Sequence, residues 1–367
     1  MEPSRKIPFA VPYITDEDVA AVAETVRRAQ LSQGSKVEEF EQAFANYLGA
    51  KYAVAVSNCT VALHVALAAL GIKQGDEVIV PPFTFIATAN AVIYQNAKPV
   101  FADIDPKTYN IDPNQVKKAI TSKTKAIIPV HYGGHPAEMD EIMEIAEKHG
   151  LTVIEDAAEA HGAEYKGKKA GNLAHLACFS FYPNKSMTTG EGGMIVTNDG
   201  NLAETMKLLR THGQDYRYHH ILLGYNYRMT ELQAALGVVQ LKRLDKIVNY
   251  KQTLARYYNE QLSEIAGLEL PYVSPYVKHG YFLYTIRVKN RDKVQAHLEK
   301  NGIETRICFP SVHLQPIYRQ LYGYKGGEYP ISEKASDTVL SIPIHYLLSR
   351  DDQEYIVKHL KEALKTV

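Results

Sequence analysis

A regular alternation of helical and strand-like segments, from residue 36 to about residue 200, constrains the fold of this chain more than any other feature. The strand candidates are short, apolar and rich in Val and Ile. They are YAVAVS, EVIVPP, KPVFADI, KAIIPV, LTVIED, ACFSF and GMIVTND. Continuous apolar strands are typical of sheets that are covered on both faces. The alternation therefore predicts an α/β fold, in which a mostly parallel seven-stranded sheet carries helices on both faces.

The segments between these strands show the periodicity of amphipathic helices. KVEEFEQAFANYLGA places four apolar side chains on one helical face: Val37, Phe40, Phe44 and Leu48. Gly49 is a suitable stop for that helix, and Gly71 for the helix predicted from TVALHVALAALG. MDEIMEIAEKHG, between two strand candidates, reads as a crossover helix.

The pattern changes after about residue 245. LDKIVNYKQTLARYYNEQLSEIAG predicts one long helix with a slightly irregular apolar face, and GYFLYTIRV and IETRICF read as strands of an antiparallel sheet. DDQEYIVKHLKEALKTV predicts a final helix that Ser349 could cap. Because 367 residues exceed what one compact core usually serves, we expect a large domain of residues 1–245 and a smaller α+β domain of residues 246–367.

Composition excludes several classes of protein. Lys plus Arg and Asp plus Glu both number 41, so nothing favours nucleic acid as a partner. Three distant cysteines, Cys59, Cys178 and Cys308, argue against a disulfide framework and a zinc site and favour a reducing cytoplasm. The first residues lack the apolar core of a signal peptide, and the most apolar run, residues 60–72, is too short for a membrane span.

Polar and aromatic residues follow the ends of several predicted strands. Thr60 comes after YAVAVS, Phe85 after EVIVPP, and Asp156 closes LTVIED. Ser180 lies within ACFSF, and Lys185 comes just beyond it in FSFYPNKSMTTGEGG. Because ligands of parallel α/β sheets bind beyond the carboxyl ends of the strands, we expect these residues to meet at one edge of the sheet.

These residue types share a specific chemistry. The hydroxyls of Thr60 and Ser180, with the free backbone N–H groups at the start of a helix, make a seat for a phosphate. The carboxylate of Asp156 needs a cation at the end of a buried strand. Phe85 can stack on a ring, and the amine of Lys185 can form a Schiff base with an aldehyde. Phosphate, cationic ring nitrogen, stackable ring and aldehyde together describe pyridoxal 5′-phosphate (PLP).

Each residue also has a purely structural explanation. Lys185 could be a solvated loop lysine, Thr60 and Asp156 could cap helices, and Phe85 could pack in the core. Gly190, Gly192 and Gly193 could form an ordinary turn. Spacing excludes two other phosphate motifs, because the lysine precedes the glycines, unlike in a P-loop, and because GEGG leads into a strand, unlike in a dinucleotide fingerprint.

The motifs resemble those of the DegT-type nucleotide-sugar aminotransferases, a branch of the fold-type-I PLP enzymes. The resemblance runs through nearly the whole chain, in order and at the spacing of the family. Its blocks are GSKVEEFEQAFANYLG, SNCTVALHVALAALGIKQGDEVIVPPFTFIATANAV, VIEDAAEAHGA, FSFYPNKSMTTGEGGMIVTND, GYNYRMTELQAALGVVQLKRLD and VLSIPIH.

The resemblance assigns roles to individual residues. It implies that Lys185 holds PLP as the internal aldimine and later shuttles a proton, that Asp156 pairs with the pyridinium nitrogen, and that Phe85 stacks on the ring. The remaining cofactor contacts that it implies are the Cys59 backbone, Thr60 and Ser180 at the phosphate, Glu159 near the ring hydroxyl, and Asn226 reaching the phosphate from the neighbouring subunit. A homodimer with shared active sites follows from the last of these.

Two positions depart from many relatives, which carry glutamine in place of Glu159 and glycine in place of Cys59. Glutamate in EDAAEA, together with GYNYRMT, is similar to the perosamine-synthase-like members, which act on a 4-keto-6-deoxy sugar linked to a nucleotide. The resemblance therefore implies ping-pong transfer of an amino group from L-glutamate to a nucleotide-linked keto sugar, with C4 favoured over C3.

A nucleotide diphosphate needs cationic groups near it. Candidates are Arg228, Arg306 and His313, and His131 at the end of KAIIPVH could also line the pocket. Arg306 could equally be a surface strand residue, His313 an ordinary loop histidine, and His131 a packed structural histidine.

Two other functions remain open. One is a PLP-dependent sugar dehydratase of the same fold, in which by resemblance a histidine replaces the lysine, so that Lys185 argues against it. The other is a regulatory or scaffold protein that keeps the fold without the chemistry. Joint retention of four site residues argues against that second alternative: Lys185, Asp156, Ser180 and Asn226.

Overall fold

The computed structural model describes residues 5–365. The helices within them are α1 (Asp16–Arg27), α2 (Ser35–Leu48), α3 (Cys59–Ala69), α4 (Ala87–Tyr94), α5 (Pro113–Ala119), α6 (Met139–His149), α7 (Gly200–Arg210), α8 (Glu231–Leu241), α9 (Leu244–Leu262), α10 (Arg291–Lys300), α11 (Pro316–Tyr322), α12 (Pro330–Thr338) and α13 (Arg350–Lys365). Two short 3-10 turns lie at Tyr132–Gly134 and Val312–Leu314. No helix of these residues has the length and the apolar composition that crossing a bilayer requires.

The strands, again in chain order, are β1 (Tyr52–Val56), β2 (Glu77–Val80), β3 (Lys98–Phe101), β4 (Thr124–Ile127), β5 (Thr152–Asp156), β6 (Glu164–Tyr165), β7 (Lys168–Lys169), β8 (Leu176–Ser180), β9 (Gly193–Thr197), β10 (Gln214–Tyr216), β11 (His219–His220), β12 (Leu268–Glu269), β13 (Val277–Lys278), β14 (Tyr284–Val288) and β15 (Val339–Ile342). All seven strands predicted for the main sheet are among them, each within a few residues of its predicted position.

A seven-stranded sheet, here called the large sheet, has the order β1-β9-β8-β5-β4-β2-β3. The pairs from β8 to β3 are parallel, whereas β9 runs antiparallel to both of its neighbours. The predicted mostly parallel sheet is therefore confirmed, and the strand that follows GEGG is its one reversed member.

Helices cover both faces of the large sheet, as the sequence predicts. Consecutive residues of β1 separate into different apolar clusters: Val54 packs in the cluster that contains the buried side of α3, and Ala55 in the cluster that contains α2. The predicted apolar face of α2 is buried along its length: Val37, Phe40, Phe44 and Leu48. Gly49 ends α2 with φ of 71°, a left-handed conformation that glycine adopts without strain.

A second, smaller sheet has the antiparallel order β12-β14-β15 and packs with α9, α10 and α13 around one apolar cluster. GYFLYTIRV supplies β14, but the prediction of a strand over IETRICF is wrong. Only Arg306 pairs with β15, through both of its backbone bonds to Ser341, and by Val312 the backbone is bonded to Pro82 beside the large sheet. Ile303, at the start of the segment, bridges instead to Ile7. Two isolated bridges to different segments do not make a strand.

Two helices frame this part of the chain. The predicted long helix is α9, which ends at Leu262, before the predicted end. Ser349 caps α13 as predicted, since its hydroxyl accepts the N–H of Asp352 at 3.1 Å. The last two residues of the segment that predicted this helix lie outside the described residues. The division into residues 1–245 and 246–367 stays a proposal.

Candidate active site

Two strands of the large sheet, β1 and β8, finish at one edge, where β9 between them begins. Val56, the last residue of β1, pairs with Gly193 at the start of β9, and Gly193 pairs with Ser180 at the end of β8. The chain therefore leaves β1 for Cys59 and leaves β8 for Lys185 from neighbouring points. The register of the strands thus brings these segments together at one edge of the sheet, as predicted.

The first turn of α3 offers unpaired backbone donors to this edge. Asn58 caps the helix by accepting the N–H of Val61 at 3.0 Å, so Thr60 is not the cap. The N–H groups of Cys59 and Thr60 meet no acceptor within residues 5–365. Gly193 presses against this turn, since a Cβ there would lie 2.5 Å from the carbonyl carbon of Asn58. Free N–H groups at the positive end of a helix form an anion seat.

Asp156 is a buried carboxylate with no cationic partner in contact among residues 5–365. Its side chain accepts hydrogen bonds from the Thr88 hydroxyl at 2.7 Å and from the N–H of Ala158 at 3.2 Å. Burial raises the pKa of Asp156, and these two bonds and the charge of Lys185 oppose that rise. No helix follows Asp156, so it is not a helix cap. Such a carboxylate suits a ligand that brings a positive charge.

Lys185 is half-buried, and its amine has no carboxylate within 4.0 Å in the described part of the chain. Its Nζ atom lies 4.0 Å from the centre of the Phe282 ring. Lys185 and Asp156 act on the same thiol: burial raises the pKa of Cys59 well above its usual value, Asp156 raises it further and Lys185 lowers it. Asp156 ends β5, and Lys185 follows the end of β8, the parallel neighbour of β5, so the acid and the amine lie at the same edge of the large sheet. Half-buried Lys185 is not a solvated surface lysine.

Glu159 adds a second carboxyl group to this site. It accepts the N–H of Gly133 at 2.7 Å and is 6% exposed. Burial raises its pKa to about 7, although the charge of Lys185 acts in the opposite direction. A carboxyl group that titrates near neutrality can hold a proton where an ordinary glutamate would be ionised.

Phe85 and Ser180 complete the edge. The Phe85 ring is 58% exposed, and its centre lies 6.0 Å from that of the Phe309 ring, so it does not pack in the core. It stands one turn before Thr88, the donor to Asp156, at the beginning of α4. The hydroxyl of Ser180 accepts a long bond of 3.4 Å from the N–H of Tyr182 and otherwise keeps its hydrogen-bonding capacity.

The segment GYNYRMT passes beside the anion seat. Ser57 donates its N–H to the carbonyl of Tyr227 at 2.9 Å, and Val56 bridges to Arg228. Arg228 is half-buried there, whereas Asn226 is exposed. Both residues therefore lie near the start of α3 of their own chain.

The other substrate-binding candidates are dispersed. His131 is fully buried; its Nδ1 accepts the N–H of Ala137 and its Nε2 bonds to Glu155 at 2.8 Å, which favours a packed structural histidine. His313 is also fully buried, beside Glu333 at 3.0 Å. Both histidines are buried and bonded within their own chain, and their role in substrate binding stays a prediction. Arg306 is exposed, with its guanidinium over the Phe9 ring.

Sequence reasoning missed four residues of the site: Thr88, His161, Lys251 and Phe282. His161 is buried, and burial together with the charges of Lys185 and Lys251 lowers its pKa to about 3. One of the four left a signal, because Lys251 is the residue that makes the apolar face of α9 irregular.

The arrangement fits PLP part by part. The free N–H groups of α3 and the hydroxyls of Thr60 and Ser180 could bind a phosphate. Asp156, which no cation of the described residues contacts, could pair with a protonated ring nitrogen. Phe85 offers an uncovered ring face, and Lys185 an amine without a counter-ion. Each feature is an unmet requirement of the protein that one part of the cofactor would satisfy.

Comparison with known proteins gives a consistent result. The model of the DegT/DnrJ/EryC1/StrS aminotransferase family matches residues 12–361. GDP-perosamine synthase of Caulobacter vibrioides is 42% identical over 368 residues, covering 98% of both chains. UDP-2-acetamido-2-deoxy-3-oxo-D-glucuronate aminotransferase of Pseudomonas aeruginosa is 41% identical over 334 residues, covering 90% of this chain and 92% of the relative.

Solved structures agree with the sequence comparisons. The crystal structure of DesV from S. venezuelae, in complex with a ketimine intermediate, superposes with a TM-score of 0.94 and 37% identity. The match covers 98% of this chain and 100% of the DesV chain. The large sheet, the small sheet and the site edge therefore all fall within the superposed region.

Proposed function

The chain belongs to the DegT/DnrJ/EryC1/StrS aminotransferase family, and from this premise we propose that it transfers an amino group from L-glutamate to C4 of a nucleotide-linked 4-keto-6-deoxy sugar, with PLP bound at Lys185. Aminotransferases of this family are fold-type-I PLP enzymes, and the chain is accordingly an enzyme that transfers amino groups to nucleotide sugars. The observation that supports the proposal is the position of Asp156 at the end of β5 and of Lys185 just beyond β8, its parallel neighbour in the large sheet.

Each part of the cofactor has a matching residue. The backbone of Cys59 and the hydroxyls of Thr60 and Ser180 would hold the phosphate, together with the partner subunit's Asn226. Asp156 would pair with the ring nitrogen, Phe85 would stack on the ring and Glu159 would face its hydroxyl. When bound, PLP supplies an aldehyde that takes up the amino group and a ring that withdraws electrons.

The chain's own residues would move and hold the protons. Nζ of Lys185 would remove the proton from the α-carbon of the donor and, in the opposite direction, deliver a proton to the sugar carbon that bears the keto group. The carboxylate of Asp156 would keep the ring nitrogen protonated, since it otherwise has no cation. Glu159, whose pKa burial raises to about 7, could share a proton with the ring hydroxyl.

Substrate choice rests on two supports. The relative named GDP-perosamine synthase and the residues Glu159 and Asn226 in their motifs favour C4 of a 4-keto-6-deoxy sugar. The relative named for a 3-oxo sugar is nearly as similar, so identity alone does not select the carbon. Half-buried Arg228, beside the start of α3, is the better placed candidate for the diphosphate, and exposed Arg306 is the other.

The assembly and the compartment are part of the same proposal. A homodimer would bring the partner subunit's Asn226 to the phosphate and complete each site. Three free cysteines, two of them buried, suit a reducing cytoplasm.

The test is a screen of keto-sugar nucleotides with L-glutamate and the PLP-loaded protein, in which 2-oxoglutarate and the sugar product are measured by mass spectrometry. Beyond the one equivalent of 2-oxoglutarate per site that the first half-reaction releases, we expect 2-oxoglutarate and an amino sugar in equal amounts, and only when a keto sugar is present. Lys185→Ala should lower turnover by at least about 10³-fold. A sugar that has lost a hydroxyl group instead of gaining an amine would identify a dehydratase. A protein that binds no PLP would support the non-catalytic alternative.

A further inference from the structure

A second lysine lies buried beside Lys185. Lys251, in the middle of α9, is 4% exposed and sits on the face of the helix that packs inward. Its Nζ atom lies 3.4 Å from the hydroxyl of Ser186, the residue after Lys185, and no carboxylate of residues 5–365 comes within 4.0 Å. A buried ammonium group without a counter-ion is strongly unfavourable, so its place requires an explanation.

Lys251 and Lys185 line the same cavity. The other lining residues include Asn184, Ser186 and His345, and the rest are aromatic or aliphatic. No Asp or Glu is among them, so two lysines give the cavity a positive potential without any acid to offset it. Burial and the neighbouring charge of Lys185 lower the pKa of Lys251 to about 7, so this lysine exchanges its proton near neutrality.

Other polar atoms of the cavity also lack partners. The ring of His345, which is 8% exposed, lies against the backbone of Pro8, and at least one of its nitrogens has no hydrogen-bond partner within residues 5–365. The side-chain oxygen of Asn184 is buried without a partner as well. Buried polar groups are almost always hydrogen-bonded, and several exceptions in one cavity beside a reactive amine indicate a place for a polar ligand.

We propose that this cavity is the carboxylate subsite for the amino-acid donor, with Lys251 as the cation that binds a carboxylate and with Ser186 and His345 as additional hydrogen-bond donors. This inference rests on the proposed function, since it takes the donor's amine to react where Lys185 stands. The carboxylates of a donor bound there lie within a few bonds of that amine and hence near Lys251.

The chemistry of the cavity favours a carboxylate over the diphosphate of the sugar nucleotide. One buried ammonium and two neutral donors match a single charge on two oxygens. Arg228, the better placed candidate for a diphosphate, is not among the lining residues. The subsite therefore separates recognition of the donor from recognition of the acceptor.

The test compares wild type, Lys251→Met, Lys251→Arg and a control, Arg256→Met, which removes an exposed charge from the same helix. All are loaded with PLP, and KM is measured for L-glutamate and for the sugar nucleotide. We expect Lys251→Met to raise KM for L-glutamate by about 10- to 100-fold and to change KM for the sugar less than twofold. Lys251→Arg should recover part of the loss, and Arg256→Met should behave as wild type.

Calorimetric binding of glutarate, a dicarboxylate without an amine, gives a readout that needs no turnover. Wild type should bind glutarate, and Lys251→Met should bind it at least about 10-fold more weakly. Should Lys251→Met fail to fold, Ser186→Ala replaces it, with an expected weakening of a few-fold. Equal effects on both substrates, or an unchanged affinity for glutarate, would overturn the subsite. Glutarate binding without any transamination would instead refute the proposed function and leave the subsite standing.

Discussion

Glu155 and Asp156 are adjacent on β5, but their carboxylates differ in how fully the protein satisfies them with hydrogen bonds on the two faces of the large sheet. Glu155 is fully buried, and four groups donate to it: the N–H groups of Leu173 and Ala174 at 2.8 and 2.9 Å, the N–H of Gly171 at 2.7 Å, and His131 at 2.8 Å. Asp156, the next residue, receives two bonds, one of them long.

The difference separates a structural charge from a functional one. The chain itself satisfies Glu155, so that carboxylate holds the loop of residues 171–174 against the sheet and has nothing left to offer a ligand. Asp156 has no cation in contact, and burial raises its pKa. Successive residues of a strand point to opposite faces, which is how one dipeptide can serve both purposes.

The largest effect on activity should come from the functional member of this pair. Asp156→Asn removes the charge that would keep a ring nitrogen protonated, and the amide can still bond to Thr88 and Ala158. We expect turnover to fall by about 10²–10³-fold. The free energy of unfolding should change by less than about 1 kcal/mol, because the replaced carboxylate is costly to bury. Steady-state kinetics and urea unfolding measure the two quantities, and a large loss of stability would make Asp156 structural after all.

The structural member should show the reverse. Glu155→Gln replaces one acceptor oxygen by an NH₂ group that faces N–H donors, which should lower the free energy of unfolding by about 3 kcal/mol. Turnover per folded molecule should stay within a few-fold of wild type at a temperature where the variant is folded. A Glu155→Gln protein that is folded and stable but inactive would show that Glu155 is also functional, and would contradict the distinction between the two carboxylates.

Glu159, a third buried carboxyl group, should make the stability of the folded protein depend on pH. Its pKa is raised to about 7 by burial, so the folded protein keeps a proton that the unfolded chain releases near pH 4.5. The stability that this group contributes is complete below pH 4.5 and is lost as the pH rises through 7. In the cofactor-free protein, Glu159→Gln should therefore gain stability over wild type across that range, by up to about 3 kcal/mol. Unfolding measured at pH 4.5, 6 and 8 should show the difference growing, and a constant difference would contradict it.

Phe85 should give the smallest effect. Phe85→Leu removes an exposed ring face, so the free energy of unfolding should not change measurably, while PLP should bind up to about 10-fold more weakly. A fluorescence titration with PLP measures the affinity, and Tyr182→Leu, another exposed ring, is the matched control. Loss of stability in Phe85→Leu would mean that the ring packs in the core.

The local sequence pattern was sufficient to predict the large sheet and most of its helices. Each strand is a continuous apolar run, and the apolar residues of each helix recur with helical periodicity. The prediction for IETRICF failed because its alternation is strand-like, whereas its two bridged residues pair with different segments: Ile303 with Ile7 and Arg306 with Ser341. Only the tertiary fold determines these partners. Ser349 succeeded because a helix cap depends on residues within one turn.

The candidate site shows the same limit. Lys185, Asp156 and Thr60 could be found because each follows a strand, and the register of parallel strands brings their ends together. Thr88 and Phe282 could not be found, since their contacts with Asp156 and Lys185 join segments that are distant along the chain. The burial of His131 likewise depends on Glu155 reaching it across the sheet. Lys251 interrupts the apolar face of α9, which the sequence shows, but only the structure shows that the lysine lines a cavity.

The most direct test of the central claim is to reduce the PLP-loaded protein with borohydride and map the modified peptide by mass spectrometry. The account predicts one pyridoxyl phosphate per chain, attached to Lys185, with Lys251 unmodified. Attachment to Lys251, or the absence of any modified lysine, would contradict the assignment of Lys185 as the amine that binds the cofactor.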